Sequence, residues 1–177
     1  AQDNHFRIRA EKYLEDRKDR IRALVITHGH LDHIGGIPYL ITRLGNPPIY
    51  TREFGALLIK KRQAEFPQLP PLDIRIVEAS DKSIPLSPNF KARFFGLTHS
   101  IPDSTGIILE TPYGDIVNTG DVRVENEGGV PVEKEVEQYK MFKDRNVILF
   151  TMDSTGIDKP GFSPSEASIL KNIDALV

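Results

Sequence analysis

The chain contains no cysteine. That excludes a disulfide framework and any thiolate metal site, so a bound metal must be held by histidine and carboxylate. Tryptophan is also absent, and histidine is sparse, with five in 177 residues. No apolar run approaches the ~20 residues of a membrane-spanning helix, and no signal-peptide pattern is visible, so the expectation is a cytoplasmic protein without a membrane partner. Neither charge dominates: 23 Lys and Arg face 25 Asp and Glu, a net charge of −2. This excludes a surface that is basic throughout, but not a local nucleic-acid groove. What is present is the composition of one ordinary domain, 39% hydrophobic and 27% charged. The chain begins at Ala1 and stops inside the expected helix "SEASILKNIDALV", which points to further segments on either side.

Residues 11–20 read as a charged helix in which Asp16 and Arg20 can pair at i,i+4. "IRALVIT" (21–27) and "NVILFT" (146–151) are β-branched runs expected as buried strands. Helices are expected over 32–44, 53–66 and 133–143. Strands are expected over 73–78 and 90–97, the latter with Phe90, Ala92 and Phe94 on one face. "TGIILET" and "DIVNT" flank "PYGD" as a hairpin. "SPSE" (163–166) opens a last helix, with Ser163 as cap. No internal repeat or long linker interrupts this alternation, which predicts a layered α/β or α+β domain.

Three of the five histidines fall in "THGHLDHIGG" (27–36), directly after a strand. Residues two apart on an extended loop share a side, so His28 and His30 can grip one metal ion. Asp32 and His33 open the next helix, point elsewhere and suit a second ion. As surface or capping residues, three histidines and an aspartate within six positions would be hard to explain. Further ligands must come from other elements. His99 and Asp121 stand out because each follows a strand end, where open sheets place ligands. Two ions about 3.5–4 Å apart lower the pKa of a shared water and clamp a phosphoryl oxygen, and a His/Asp donor set fits Zn²⁺ foremost and also Mn²⁺.

This order of residues resembles the metallo-β-lactamase fold, an αββα sandwich with a two-metal site along one sheet edge. The resemblance implies that His28, His30 and His99 hold the first ion, Asp32 and His33 the second, and that Asp121 bridges them. "ALVITHGHLDHIGGIPYL", "THSIPDSTGIILETPYGDIVNTGDVR" and "DSTGIDKPGFSPSE" are similar to the ribonuclease J group of β-CASP nucleases, over nearly the whole chain. The likeness implies a two-metal RNA phosphodiesterase. Asp32, Asp121 and Asp153 would be its catalytic carboxylates, with Asp153 orienting a catalytic histidine. It also implies RNA as the partner of a longer parent, gripped largely by a β-CASP domain, and a homo-oligomer. Residues 1–177 would then be a partial metallo-β-lactamase domain ending near the β-CASP insertion point, lacking that domain and the last ligand of the second site. His5 is the one spare histidine and a poor substitute.

The chain departs from the family pattern at Gly156, where asparagine is usual, and at Asn118, where histidine is usual. Two alternatives stay open: an ester or lactam hydrolase on the same fold, and a non-catalytic metal-binding interaction module.

Overall fold

The structure, a computed structural model, describes residues 11–79 and 82–176. His5 lies outside them. Three short parallel strands form the first sheet in the order β1 (Leu24–Val25), β2 (Ile49–Thr51), β3 (Ile74–Ile76). Between them run α2 (Leu31–Ile34), α3 (Ile37–Leu40) and α4 (Glu53–Gln63). An earlier helix, α1, covers residues 11–15. The second sheet begins as an antiparallel meander of β4 (Ile84–Ser87), β5 (Phe90–Gly96), β6 (Thr105–Thr111) and β7 (Gly114–Asn118). A hairpin of β8 (Asn126–Glu127) and β9 (Val130–Pro131) and the helix α5 (Glu133–Tyr139) follow. β10 (Val147–Thr151) then joins the meander parallel to β7, and α6 (Glu166–Asp174) comes last. No described helix is long and apolar enough to cross a membrane.

Strand alternation sorts the core into layers. Leu24, Ile49 and Ile74 face the helices and pack with Ile34, Ile37, Ile41 and Ile59. Val25 and Tyr50 point the other way, onto Ala92, Phe94 and Ile107 of the second sheet. The far side of that sheet, Phe95, Ile108 and Val117, is covered by Tyr139 and Phe142 at and after the end of α5. Helix, sheet, sheet, helix is the expected αββα order.

Several local expectations are corrected. The 32–44 helix is two single turns broken at Gly35–Gly36, where glycine weakens helix propagation and Pro38 starts the next turn. β1 is shorter than 21–27 and half-buried, and β10 is an exposed edge rather than a buried strand, with Ile148 52% and Leu149 49% exposed. Of the face Phe90–Ala92–Phe94, the last two are buried and Phe90 is exposed. The cap of α6 is Ser165, whose side chain accepts from the Ser168 N–H at 3.1 Å. Ser163 instead offers its carbonyl to Asn126 Nδ2. α1 stops at residue 15, so Asp16 and Arg20 lose their helical spacing; Arg43 pairs with Glu11 and Glu15 instead.

Candidate metal centre

His28 follows the edge strand β1 and is almost fully buried, 2% exposed. Its Nδ1 lies 3.0 Å from the Thr27 hydroxyl. A ring whose Nδ1–H donates to that hydroxyl presents a bare Nε2 on the other side. Nε2 is 3.1 Å from His30 Nδ1, which is itself 3.1 Å from His99 Nε2. Three ring nitrogens from two loops thus converge. A tetrahedral ion with bonds of ~2.0–2.1 Å has ligand separations of about 3.3–3.4 Å, so the donor set fits a divalent cation with little adjustment.

Asp121 completes this group. Its Oδ2 is 3.9 Å from His28 Nε2 and 3.8 Å from His99 Nε2. Its Oδ1 turns toward His33 Nε2 at 3.3 Å, and His33 Nε2 is 3.6 Å from Asp32 Oδ2. Two donor groups therefore form, His28–His30–His99–Asp121 and Asp32–His33–Asp121, and within each the donor atoms lie within 4.8 Å of one another. Six of the seven expected site residues meet here. Asp32 is the outlier in exposure, with 78% of its side chain open to solvent.

Burial, then the neighbouring His33 and His99 rings, pushes the His28 imidazole down to about 4, despite the opposing pull of Asp121. Burial lowers His99 as well. Neutral imidazole is the form that ligates, so the site is held ready for a cation and against protons.

The loop carrying Asp121 is fixed from both sides. Asn118 Oδ1 accepts from the Gly120 N–H at 2.8 Å while its Nδ2 donates to Thr151 at 2.9 Å. The departure at Asn118 therefore supplies a turn-fastening amide beside the centre. Gly156 has φ +76°, a left-handed conformation that glycine and asparagine both tolerate, which accounts for that exchange. The loop carrying His99 is sewn down in the same way. Thr105 donates from N–H and hydroxyl to Thr27 O, each at 3.0 Å, and Asp103 accepts from Arg52 at 3.0 Å and from the Phe54 N–H at 3.1 Å.

Asp153, the seventh expected residue, stands apart from both donor groups. It accepts from the N–H groups of Thr155 (2.8 Å) and Val122 (3.4 Å). Thr155 above all holds its carboxyl below the usual range. With His33, Asn118 and Asp121 it lines an open cleft of about 560 Å³ between the sheets.

A strand-end histidine cluster, its carboxylate turned to two donor groups and an αββα scaffold have a counterpart among known families. The model of the metallo-beta-lactamase superfamily matches residues 2–164. The chain belongs to that superfamily. Ribonuclease J of Mycoplasma genitalium is 39% identical over 94% of the chain, and ribonuclease J of Thermus thermophilus 34% identical over 93%. The chain spans under a third of those relatives, 29% and 30% of their lengths. Among solved structures, a protein of unknown function from Enterococcus faecalis aligns over 87% of this chain and 38% of its own, with TM-score 0.65 and 20% identity. Zn²⁺-bound PqqB from Methylobacterium extorquens aligns over 78% and 49%, with TM-score 0.53 and 12% identity. These two likenesses bear on the fold.

The superfamily scaffold implies divalent metal ions and hydrolytic chemistry. Sequence reasoning missed the residues that hold the ligands. Thr27 precedes His28 and had a signal in its position alone. Asn118 was noted only as a departure. Glu135, on the charged stretch "EKEVEQ", carried no signal at all, yet it is buried and hydrogen-bonded to Thr98, next to His99.

Proposed function

We propose that this chain carries the two-metal centre of a ribonuclease J-like RNA phosphodiesterase. His28, His30 and His99 are assigned to the first ion, Asp32 and His33 to the second, and Asp121 to both. The observation that carries this reading is the Asp121 carboxylate, one oxygen toward each donor group. The nitrogen-rich first position favours Zn²⁺, and the carboxylate-rich second would also accept Mn²⁺. When bound, the pair would supply an acidified water and a clamp for a phosphoryl oxygen.

The chain's own residues supply the frame. Thr27 fixes the His28 ring so that Nε2 faces inward, and Asn118 holds the turn that presents Asp121. Asp153, fixed on the cleft wall, is assigned to orienting the proton donor for the leaving oxygen. RNA as substrate is supported by the extent of the likeness to proteins named ribonuclease J. The net charge of −2 fits a division in which other parts of a longer cytoplasmic, self-associating parent grip the RNA.

Elemental analysis after purification without chelator tests the centre. Two ions per chain are expected, with the first lost in His99→Ala. Cleavage of end-labelled RNA, beside a panel of chromogenic esters and lactams, tests the substrate. Turnover of the panel but not of RNA by a metal-loaded parent would overturn the nuclease reading.

A further inference from the structure

Glu135 is the most deeply buried carboxylate among the described residues, 2% exposed in the third position of the short helix α5. Burying a carboxylate is costly unless polar partners compensate. Among the described residues Glu135 has one side-chain hydrogen-bond partner: its Oε1 accepts from the hydroxyl of Thr98. Its Oε2 is buried and has no hydrogen-bond partner among the described residues. An apolar side chain would fill the same space without that cost, so packing alone does not account for a glutamate here.

The partner's position does. Thr98 immediately precedes His99, just beyond the end of β5, where no strand pairing holds the backbone. The Thr98 carbonyl accepts from the Arg123 N–H at 2.8 Å, two residues after Asp121. Its hydroxyl is held by Glu135 on the other side. The residue before His99 is thus clamped between the loop bearing the shared carboxylate and a buried acid on a separate helix. A ligand set keeps its affinity only if its rings are already aimed, and groups that fix such ligands contribute strongly to metal binding.

We propose that Glu135 is a positioning residue for the first metal position, acting through the Thr98 hydroxyl to fix the backbone that carries His99. The proposal rests on the metal-centre reading given above. The experiment is a titration of Zn²⁺ into the metal-free chain against a chromophoric chelator, with thermal unfolding of the metal-free forms in parallel. Thr98→Val, nearly isosteric, removes the hydroxyl and is expected to weaken the tight position about 10–100-fold. Thr98→Ser is expected to restore it. Glu135→Gln keeps an acceptor and should retain most of the affinity that Glu135→Ala loses.

Lowered melting with unchanged Zn²⁺ affinity in Thr98→Val would overturn the proposal, as would equal losses in Glu135→Gln and Glu135→Ala. A parent chain that binds no Zn²⁺ would overturn the metal-centre reading and this proposal with it. That result is distinct from parent and variants binding alike, which overturns the positioning role alone.

Discussion

Asp121 reaches His33 with Oδ1, 3.3 Å from its Nε2, while Oδ2 is turned to the buried ring of His28 and the half-buried ring of His99. One carboxylate thus serves two donor groups. Asp121→Ala should empty the second position and weaken the first. The loss should exceed the ~10–100-fold typical when only a supporting group is removed. Metal counting by elemental analysis is the check. A variant that still retains two ions per chain would show that Asp121 is no shared ligand.

The ligands of this centre were legible beforehand, and the residues that hold them in place, which depend on packing, were not. His28 and His30 could be paired from their spacing on an extended loop. His99 and Asp121 could be singled out only because each follows a strand, and it took β5 beside β6 and β7 to bring them together. The β5–β6–β7 meander was readable because β5 and β6 run to seven residues each and the Pro112–Tyr113 turn separates β6 from β7. β2 and β4, at three and four residues, are too short to leave a period. The exposure of β10 was hidden for another reason. Its sequence is apolar, and only its place at the sheet edge leaves Phe150 and Ile148 open.

The burial of His28 predicts a particular acid sensitivity. The folded chain keeps this ring neutral down to about pH 4, whereas the unfolded chain protonates near 6.5. Below 6.5 the unfolded state therefore binds more protons, and stability falls with falling pH until the folded ring also titrates. The metal-free chain should lose stability between these two values, and this group should add no slope above 6.5. His99 is lowered by burial in the same sense. Melting temperatures across this range, in chelator, should fall less steeply for His28→Gln. An equal slope in parent and variant would refute the assignment.

Asp103 ties the His99 loop to the start of α4. Its two oxygens take the Arg52 guanidinium and the Phe54 N–H, and its backbone is left-handed at φ +61°. Asp103→Ala should cost about 1–3 kcal/mol in urea unfolding at neutral pH, from a lost helix-start acceptor and a broken ion pair. Asp103→Asn should cost less, since asparagine tolerates this conformation and keeps an acceptor. The Phe54 N–H, then Arg52, holds the Asp103 carboxyl below its ordinary 3.8. Its contribution is thus present above 3.8 and lost as pH falls through the lowered value, so parent and Asp103→Ala should converge in acid. A difference that grows in acid would contradict this.

Gly120 precedes Asp121 at φ +61°, and a Cβ there would lie 2.8 Å from the Cβ, Cγ2 and Oγ1 of Thr27. Thr27 is the residue that pairs with His28 Nδ1. Gly120→Ala should therefore act twice. The left-handed backbone would cost on the order of 1–3 kcal/mol, and displacement of Thr27 would release the His28 ring and lower metal affinity. Gly156→Ala separates the two effects. Its backbone is also left-handed, at φ +76°, but the nearest atom to an added Cβ is Lys159 Cδ at 3.8 Å. That variant should lose stability and keep its metal affinity. Calorimetric unfolding and Zn²⁺ titration of both variants decide the matter: if Gly120→Ala binds Zn²⁺ as tightly as Gly156→Ala, the link from Thr27 to the His28 ring has no bearing on the centre.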